Sequence, residues 1–199
     1  MARLQRLSVV MVVIAGLLSL TACTEKPEAP RFKLTDVTGA SFGKDFALTD
    51  HNGQRRTLAD FKGKVVTLFF GFTHCPDVCP TTLGEMAVVM KELGRDADRL
   101  QVLFVTVDPE RDTAEVLKRY VPAFHPAFLG LTGSADDIAR TAKEFKIFYQ
   151  KQKLPNGSGY TMDHSAGTYI LDGEGRLRLF AQYGIGAPAL LHDIRQLMK

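Results

Sequence analysis

The sequence has few cysteines, little net charge and no internal repeat, and each shortage removes a class of protein. Three cysteines in 199 residues are too few for a small disulfide-stapled scaffold, which uses several bridges where a hydrophobic core is lacking. The core must come from apolar side chains, and at 45% of the chain they suffice for one ordinary domain plus an appendage. The formal net charge is only +3, of which Arg3 and Arg6 at the start supply two, leaving about +1 for the rest. No basic stripe is present to follow a phosphate backbone, so nucleic acid is not an expected partner.

One apolar run stands apart. Arg3 and Arg6 precede a stretch from Leu7 to Ala22 that is too short and wrongly flanked for a comfortable membrane span, and it reads as an export signal. Its end, Leu20-Thr21-Ala22-Cys23, resembles the bacterial lipoprotein cleavage box, in which the cysteine is lipid-modified and becomes the first mature residue. The expectation is a signal peptide over 1–22 and a lipid anchor at Cys23, held by acyl chains at roughly 0.8 kcal/mol per buried CH₂. A plain secretory signal with an incidental Cys23, or an uncleaved anchor, is the alternative. Residues 24–41 are polar, carry Pro27 and Pro30, and read as a tether. The expected arrangement is therefore an anchored tether over 23–41 and a domain over 42–199, on the extracytoplasmic side of a membrane in the cell envelope.

With Cys23 assigned to lipid, Cys75 and Cys79 are the only pair in that domain. They sit where Val65-Val66-Thr67-Leu68-Phe69-Phe70, an apolar run suited to a strand covered on both faces, gives way to helical spacing from Thr82 to Leu93. Pro80 suits a first helical position, where its missing N–H costs nothing. A thiol at such a helix start feels the positive end of the dipole, which favours the thiolate. Two thiols four apart in an oxidising compartment either form a redox disulfide or hold a soft metal.

The remaining elements follow in order. His51-Asn52-Gly53 is a hairpin turn between Phe46–Leu48 and Arg56–Leu58. A second core strand runs from Leu100 to Val107, helices follow over 113–124 and 135–145, and a strand is expected over 147–152. Ala166–Leu171 and Arg176–Tyr183 form a hairpin, and a helix over 187–198 closes the chain. The βαβα order predicts an α/β fold with a mainly parallel sheet. The whole is a thioredoxin-like fold with an N-terminal β-hairpin and an inserted helix and strand.

Three blocks carry a resemblance: Gly71-Phe72-Thr73-His74-Cys75-Pro76-Asp77-Val78-Cys79-Pro80-Thr81-Thr82, Thr106-Val107-Asp108-Pro109-Glu110-Arg111-Asp112-Thr113, and Asp163-His164-Ser165. Together they make the chain from about Phe46 onward resemble the Sco/SenC copper proteins, which serve cytochrome c oxidase assembly. The resemblance implies copper, as Cu(I) or Cu(II), bound by Cys75, Cys79 and His164. It also implies the oxidase's copper-centre subunit as recipient, and another copper chaperone as donor. The residues themselves leave copper and zinc open, because two thiolates and an imidazole suit either, whereas calcium and magnesium want oxygen ligands.

Around the ligands, Asp77 is a candidate to shape the cysteine loop, Asp163 to orient His164, and Asp108 to face the site from the end of its strand. Glu110, Arg111 and Asp112 read as a charged surface loop, and His51, His125 and His192 as solvated. His74 adjoins Cys75 and is a candidate to tune it. A competing function is a thiol–disulfide oxidoreductase in which Cys75 and Cys79 cycle through a disulfide to reduce a partner's metal-binding cysteines. A peroxidase is disfavoured, because Phe72 stands where a threonine three residues before the reactive cysteine is needed. No catalytic residue beyond the redox candidates Cys75 and Cys79 is expected.

Overall fold

The computed structural model describes residues 31–155, 157 and 159–199. The expected signal peptide, the lipidation site Cys23 and the first part of the tether lie outside the described residues.

Two apolar runs become the centre of the sheet. Strand β4 (Val65–Gly71) and strand β5 (Leu100–Thr106) are buried along their whole length and pair in parallel, as strands covered on both faces do. Because side chains alternate across a strand, β4 offers two unlike faces. On one, Phe69 meets Phe104 and the ring of His164; on the other, Phe70 meets Phe145. Helix α1 (Val78–Leu93) links β4 to β5, and it begins a turn earlier than the apolar spacing suggests.

The eight-stranded sheet runs, in order, β1 (Thr35–Asp36), β10 (Leu177–Ala181), β9 (Thr168–Leu171), β4, β5, β6 (Leu129–Thr132), β2 (Leu48–Asp50) and β3 (Arg55–Arg56). Strand β6 extends the parallel part, after helix α2 (Ala114–Tyr120) and before α3 (Ala135–Glu144). Ser134 and Asp137 cap α3 reciprocally. The hairpin of β2 and β3 docks on β6, while β9 and β10 complete the other side. Helix α4 (Ala187–Leu197) packs against α1. This is the expected thioredoxin-like plan, with one correction. Only the β4–β5 and β5–β6 pairings are parallel, so the sheet is mixed and not mainly parallel.

The start of the domain needs a second correction. The compact unit that contains the sheet runs from Phe32 to Lys199, starting ten residues before the expected boundary at 42. Strand β1 pairs with β10, Leu34 is buried, and the backbone N–H groups of Lys33 and Leu34 donate to the buried Asp193 carboxylate at 2.8–3.1 Å. A short polar strand closing a sheet edge through its backbone leaves no apolar trace in the sequence. No helix among the described residues is long and apolar enough to cross a membrane.

Strands β7 (Tyr149–Lys153) and β8 (Tyr160–His164) form a separate two-stranded sheet. Strand β8 lies between the strand expected over 147–152 and the hairpin expected from Ala166, where the sequence predicts no element, and its last residue is His164.

Candidate metal centre

At the end of β4 the chain leaves the sheet through Phe72 and Thr73, passes Cys75, and enters α1, whose first turn contains Cys79. Asp112 fixes this passage. Its fully buried carboxylate accepts from Thr73 N at 3.0 Å, Thr73 Oγ1 at 2.6 Å and Thr106 Oγ1 at 2.7 Å. The cysteine loop is thereby pinned to the end of β5. Gly71 makes room behind it: a methyl there would stand 2.7 Å from Cys79 Sγ.

His164 arrives from the β7–β8 hairpin, with Tyr149 opposite it in register. Its ring meets Phe69 and Phe72 edge-on, with centroids 6.3 and 5.8 Å away. Nδ1 lies 3.0 Å from the carbonyl oxygen of Ser165, and a carbonyl only accepts. That contact therefore places the proton on Nδ1 and leaves the Nε2 lone pair free. Burial holds the His164 pKa below its ordinary value, which keeps the imidazole neutral and able to ligate. Nε2 lies 3.8 Å from Cys79 Sγ.

The two sulfurs and the imidazole nitrogen all fall within 4.8 Å of one another. A three-coordinate site with metal–sulfur bonds near 2.3 Å and a metal–nitrogen bond near 2.0 Å would set sulfur and nitrogen about 3.7 Å apart, which the 3.8 Å between Cys79 Sγ and His164 Nε2 matches. Among the described residues no other group of three such donors comes together. A depression lined by Phe72, Pro76, Val78 and Met162 opens onto Cys75 and His164. Cys79 lies behind it, fully buried.

This combination has known relatives: the family described as SCO1/SenC matches residues 34–199. The chain belongs to the SCO1/SenC family. The mitochondrial SCO2 homologue of Bos taurus is 42% identical over 186 residues, which cover 89% of this chain and 68% of that one. Across four vertebrate SCO2 homologues, the chain spans 50–68% of their length. Among solved structures, apo Sco1 of Thermus thermophilus is 42% identical with a TM-score of 0.75, covering 84% of this chain and 97% of that one. ScoI of Bradyrhizobium japonicum with copper bound is 38% identical with a TM-score of 0.72, covering 79% and 99%.

In this SCO1/SenC chain the two thiols are unlike. Both are free, Cys75 half-buried and Cys79 fully buried. Burial pushes the Cys79 thiol well up from its ordinary value, and the backbone hydrogen bond from Phe72 only partly offsets this. The helix start is expected to favour the thiolate; at Cys79 burial acts the other way, outweighs it and favours the thiol.

The outlying candidates are placed differently from expectation. Asp77 is exposed and makes no side-chain bond to the helix backbone; its Oδ1 accepts from Thr81 Oγ1 at 3.4 Å. Asp163 is exposed, and the partner of His164 Nδ1 is the Ser165 carbonyl instead. Asp108 is 2% exposed, bound to Arg111 Nε and accepting from Tyr160 Oη at 3.0 Å, so it grips the hairpin. His74 is exposed, with Nδ1 3.2 Å from Thr73 Oγ1. His51 is not solvated: it is buried, and Nδ1 accepts from Gly130 N at 3.0 Å. His125 and His192 are half-buried, against Phe128 and Asp193 respectively.

Nor are Arg111 and Asp112 a surface loop. Both are built into the support of the ligands, and sequence reasoning missed them because a charged run looks the same whether solvated or paired. The available signal was position, since the run follows a buried strand whose C-terminal end faces the site.

Proposed function

We propose that this protein is a copper metallochaperone: it takes copper at Cys75, Cys79 and His164 and delivers it to the binuclear copper centre of cytochrome c oxidase. The observation that carries this reading is the convergence of two sulfurs and a neutral imidazole within 4.8 Å, behind an opening to solvent. The donor set alone accepts zinc as well. Copper is favoured by the copper-bound ScoI of Bradyrhizobium japonicum, 38% identical, and the oxidase as recipient by the family resemblance. Three protein ligands and an open face suit transfer, because an incoming ligand can displace one donor while two still hold the ion. The Cys23 lipid anchor would keep the domain at the membrane where the oxidase is assembled; loss of labelled fatty acid on Cys23→Ser tests it.

The test of function is transfer. Copper-loaded domain mixed with the soluble copper-centre domain of the oxidase should lose copper to it, with the acceptor's binuclear absorption appearing. Cys75→Ser should abolish this, and absence of transfer from the loaded parent would overturn the reading.

A second reading has one observation in its favour. A half-exposed Cys75 ahead of a buried Cys79 is the arrangement of an attacking and a resolving thiol. Such a pair would reduce a partner disulfide to two thiols while itself becoming a Cys75–Cys79 disulfide, with two electrons transferred. Reduction of the recipient's cysteines that persists in His164→Ala would support this role.

A further inference from the structure

The ligands reach the site from two parts of the chain that share no sheet. The sulfurs come from the β4–α1 passage, the imidazole from the β7–β8 hairpin, which forms no ladder with the main sheet. A main-chain bond holds the hairpin's base, from Ile147 N to the Ala142 carbonyl at 2.8 Å. Something must also fix the hairpin laterally, because a two-stranded ribbon is marginal by itself.

The loop after β5 meets that need. Arg111 donates through Nε to Asp108 and through Nη1 to the carbonyl oxygen of Tyr160 at 3.0 Å, and its guanidinium lies 3.8 Å from the centre of the Tyr160 ring. Tyr160 Oη returns to Asp108 at 3.0 Å. The same guanidinium is 5.9 Å from the centre of Phe72, the ring that meets His164 edge-on. Tyr160 begins the strand that His164 ends. Arg111 therefore touches both ligand-bearing segments, while its neighbour Asp112 holds Thr73. Lys151 adds an exposed pair with Glu110 and lies over the Tyr160 ring, 4.3 Å from its centre, but reaches neither Phe72 nor Asp108 by any hydrogen bond or ring contact.

We propose that Arg111, oriented by Asp108, is a positioning residue for His164: a clasp that sets the imidazole against the sulfurs and so governs how strongly the third ligand engages copper. Planarity matters here. A guanidinium can stack on Tyr160 and bond in two directions at once, which an ammonium cannot. The clasp's hydrogen bond to a ligand-bearing segment goes to the hairpin, and it meets the cysteine passage only at the 5.9 Å approach to Phe72, so it bears on imidazole ligation far more than on the thiol pair. This rests on the copper reading above, but its structural half does not.

The experiment uses Arg111→Lys and Tyr160→Phe, which keep the charge and the ring respectively, alongside the parent. In the metal-free proteins, amide exchange over Tyr160–His164 should quicken roughly tenfold while β4 and β5 stay as in the parent. With Cu(II) added, affinity should fall roughly 10–100-fold in Arg111→Lys, with weakened nitrogen coupling in the electron paramagnetic resonance spectrum. The Cys75–Cys79 thiol–disulfide potential should not move. Parent-like hairpin exchange in both variants would overturn the clasp. So would exchange that rises equally throughout the domain, which would make Arg111 merely structural. Faster hairpin exchange together with a parent that shows no nitrogen-coupled copper would uphold the clasp and sink the copper reading, so the two failures are distinguishable.

Discussion

Replacing Gly71 with alanine adds one methyl, and the geometry fixes where it goes: 2.7 Å from Cys79 Sγ and 2.9 Å from ring carbons of Phe69 and Phe104. Non-bonded heavy atoms prefer about 3.5–4.0 Å, so each contact is short by roughly an ångström. The two rings are no more than 2% exposed and cannot swing away, and the sulfur is held by the first turn of α1. Overpacking of this kind costs about 1–3 kcal/mol, and the most movable of the three neighbours is the Cys79 sulfur, one of the three proposed copper ligands. The expected result is an unfolding free energy lowered by that amount, together with copper affinity reduced roughly 10–100-fold, equivalent to about 1.4–2.7 kcal/mol of binding. Gly84→Ala is the control, because Gly84 lies in α1 with nothing within 4 Å of an added methyl. It should stabilise the protein by about 0.5–1 kcal/mol and leave binding unchanged. A competition titration against a chromophoric chelator, with a denaturant melt of each variant, decides the matter. Parent-like affinity and stability in Gly71→Ala would refute the packing argument.

Three further outcomes follow from unlike parts of the molecule. Alkylation of the reduced, metal-free protein should label half-buried Cys75 before fully buried Cys79, whose thiol burial also pushes up; equal labelling rates by mass spectrometry would contradict the assignment. Asp193→Ala removes the acceptor of the Lys33 and Leu34 amides and should cost about 2–4 kcal/mol in denaturant unfolding, whereas a loss under 1 kcal/mol would show that the first strand is only loosely attached. His51 and His164 both have pKa values lowered by burial, so the unfolded chain takes up their protons first and stability falls as pH drops below about 6.5. Each contributes at most about 1.4 kcal/mol per pH unit; His51→Asn should flatten the fall between pH 7 and 5, and an unchanged slope would count against a buried neutral His51.

What the sequence made legible was set by how locally each feature is encoded. The cysteine passage could be read because a buried strand, a turn and a helix follow one another within thirty residues, each with its own periodicity. Strand β8 could not. Its partner was expected over 147–152, but β8 itself buries only Met162 and lies outside the main sheet, so it has no apolar alternation to reveal it. His164 was identified through resemblance, and its role as the end of that ribbon was not. The supports of the site were the least legible. Asp112 reaches Thr73 across 39 residues and Arg111 reaches Tyr160 across 49, and only the folded sheet brings those partners together. Burial likewise reversed the expectation for Cys79, because the helix dipole is visible from sequence order while desolvation depends on what covers the sulfur.

If two sulfurs and one imidazole nitrogen hold the copper, X-ray absorption at the copper edge counts those atoms directly. One equivalent of copper on the reduced protein should show two sulfur neighbours and one nitrogen neighbour, with the imidazole multiple-scattering signal lost in His164→Ala while both sulfurs stay. A spectrum from the parent without that nitrogen, or one that His164→Ala leaves unchanged, would contradict the account.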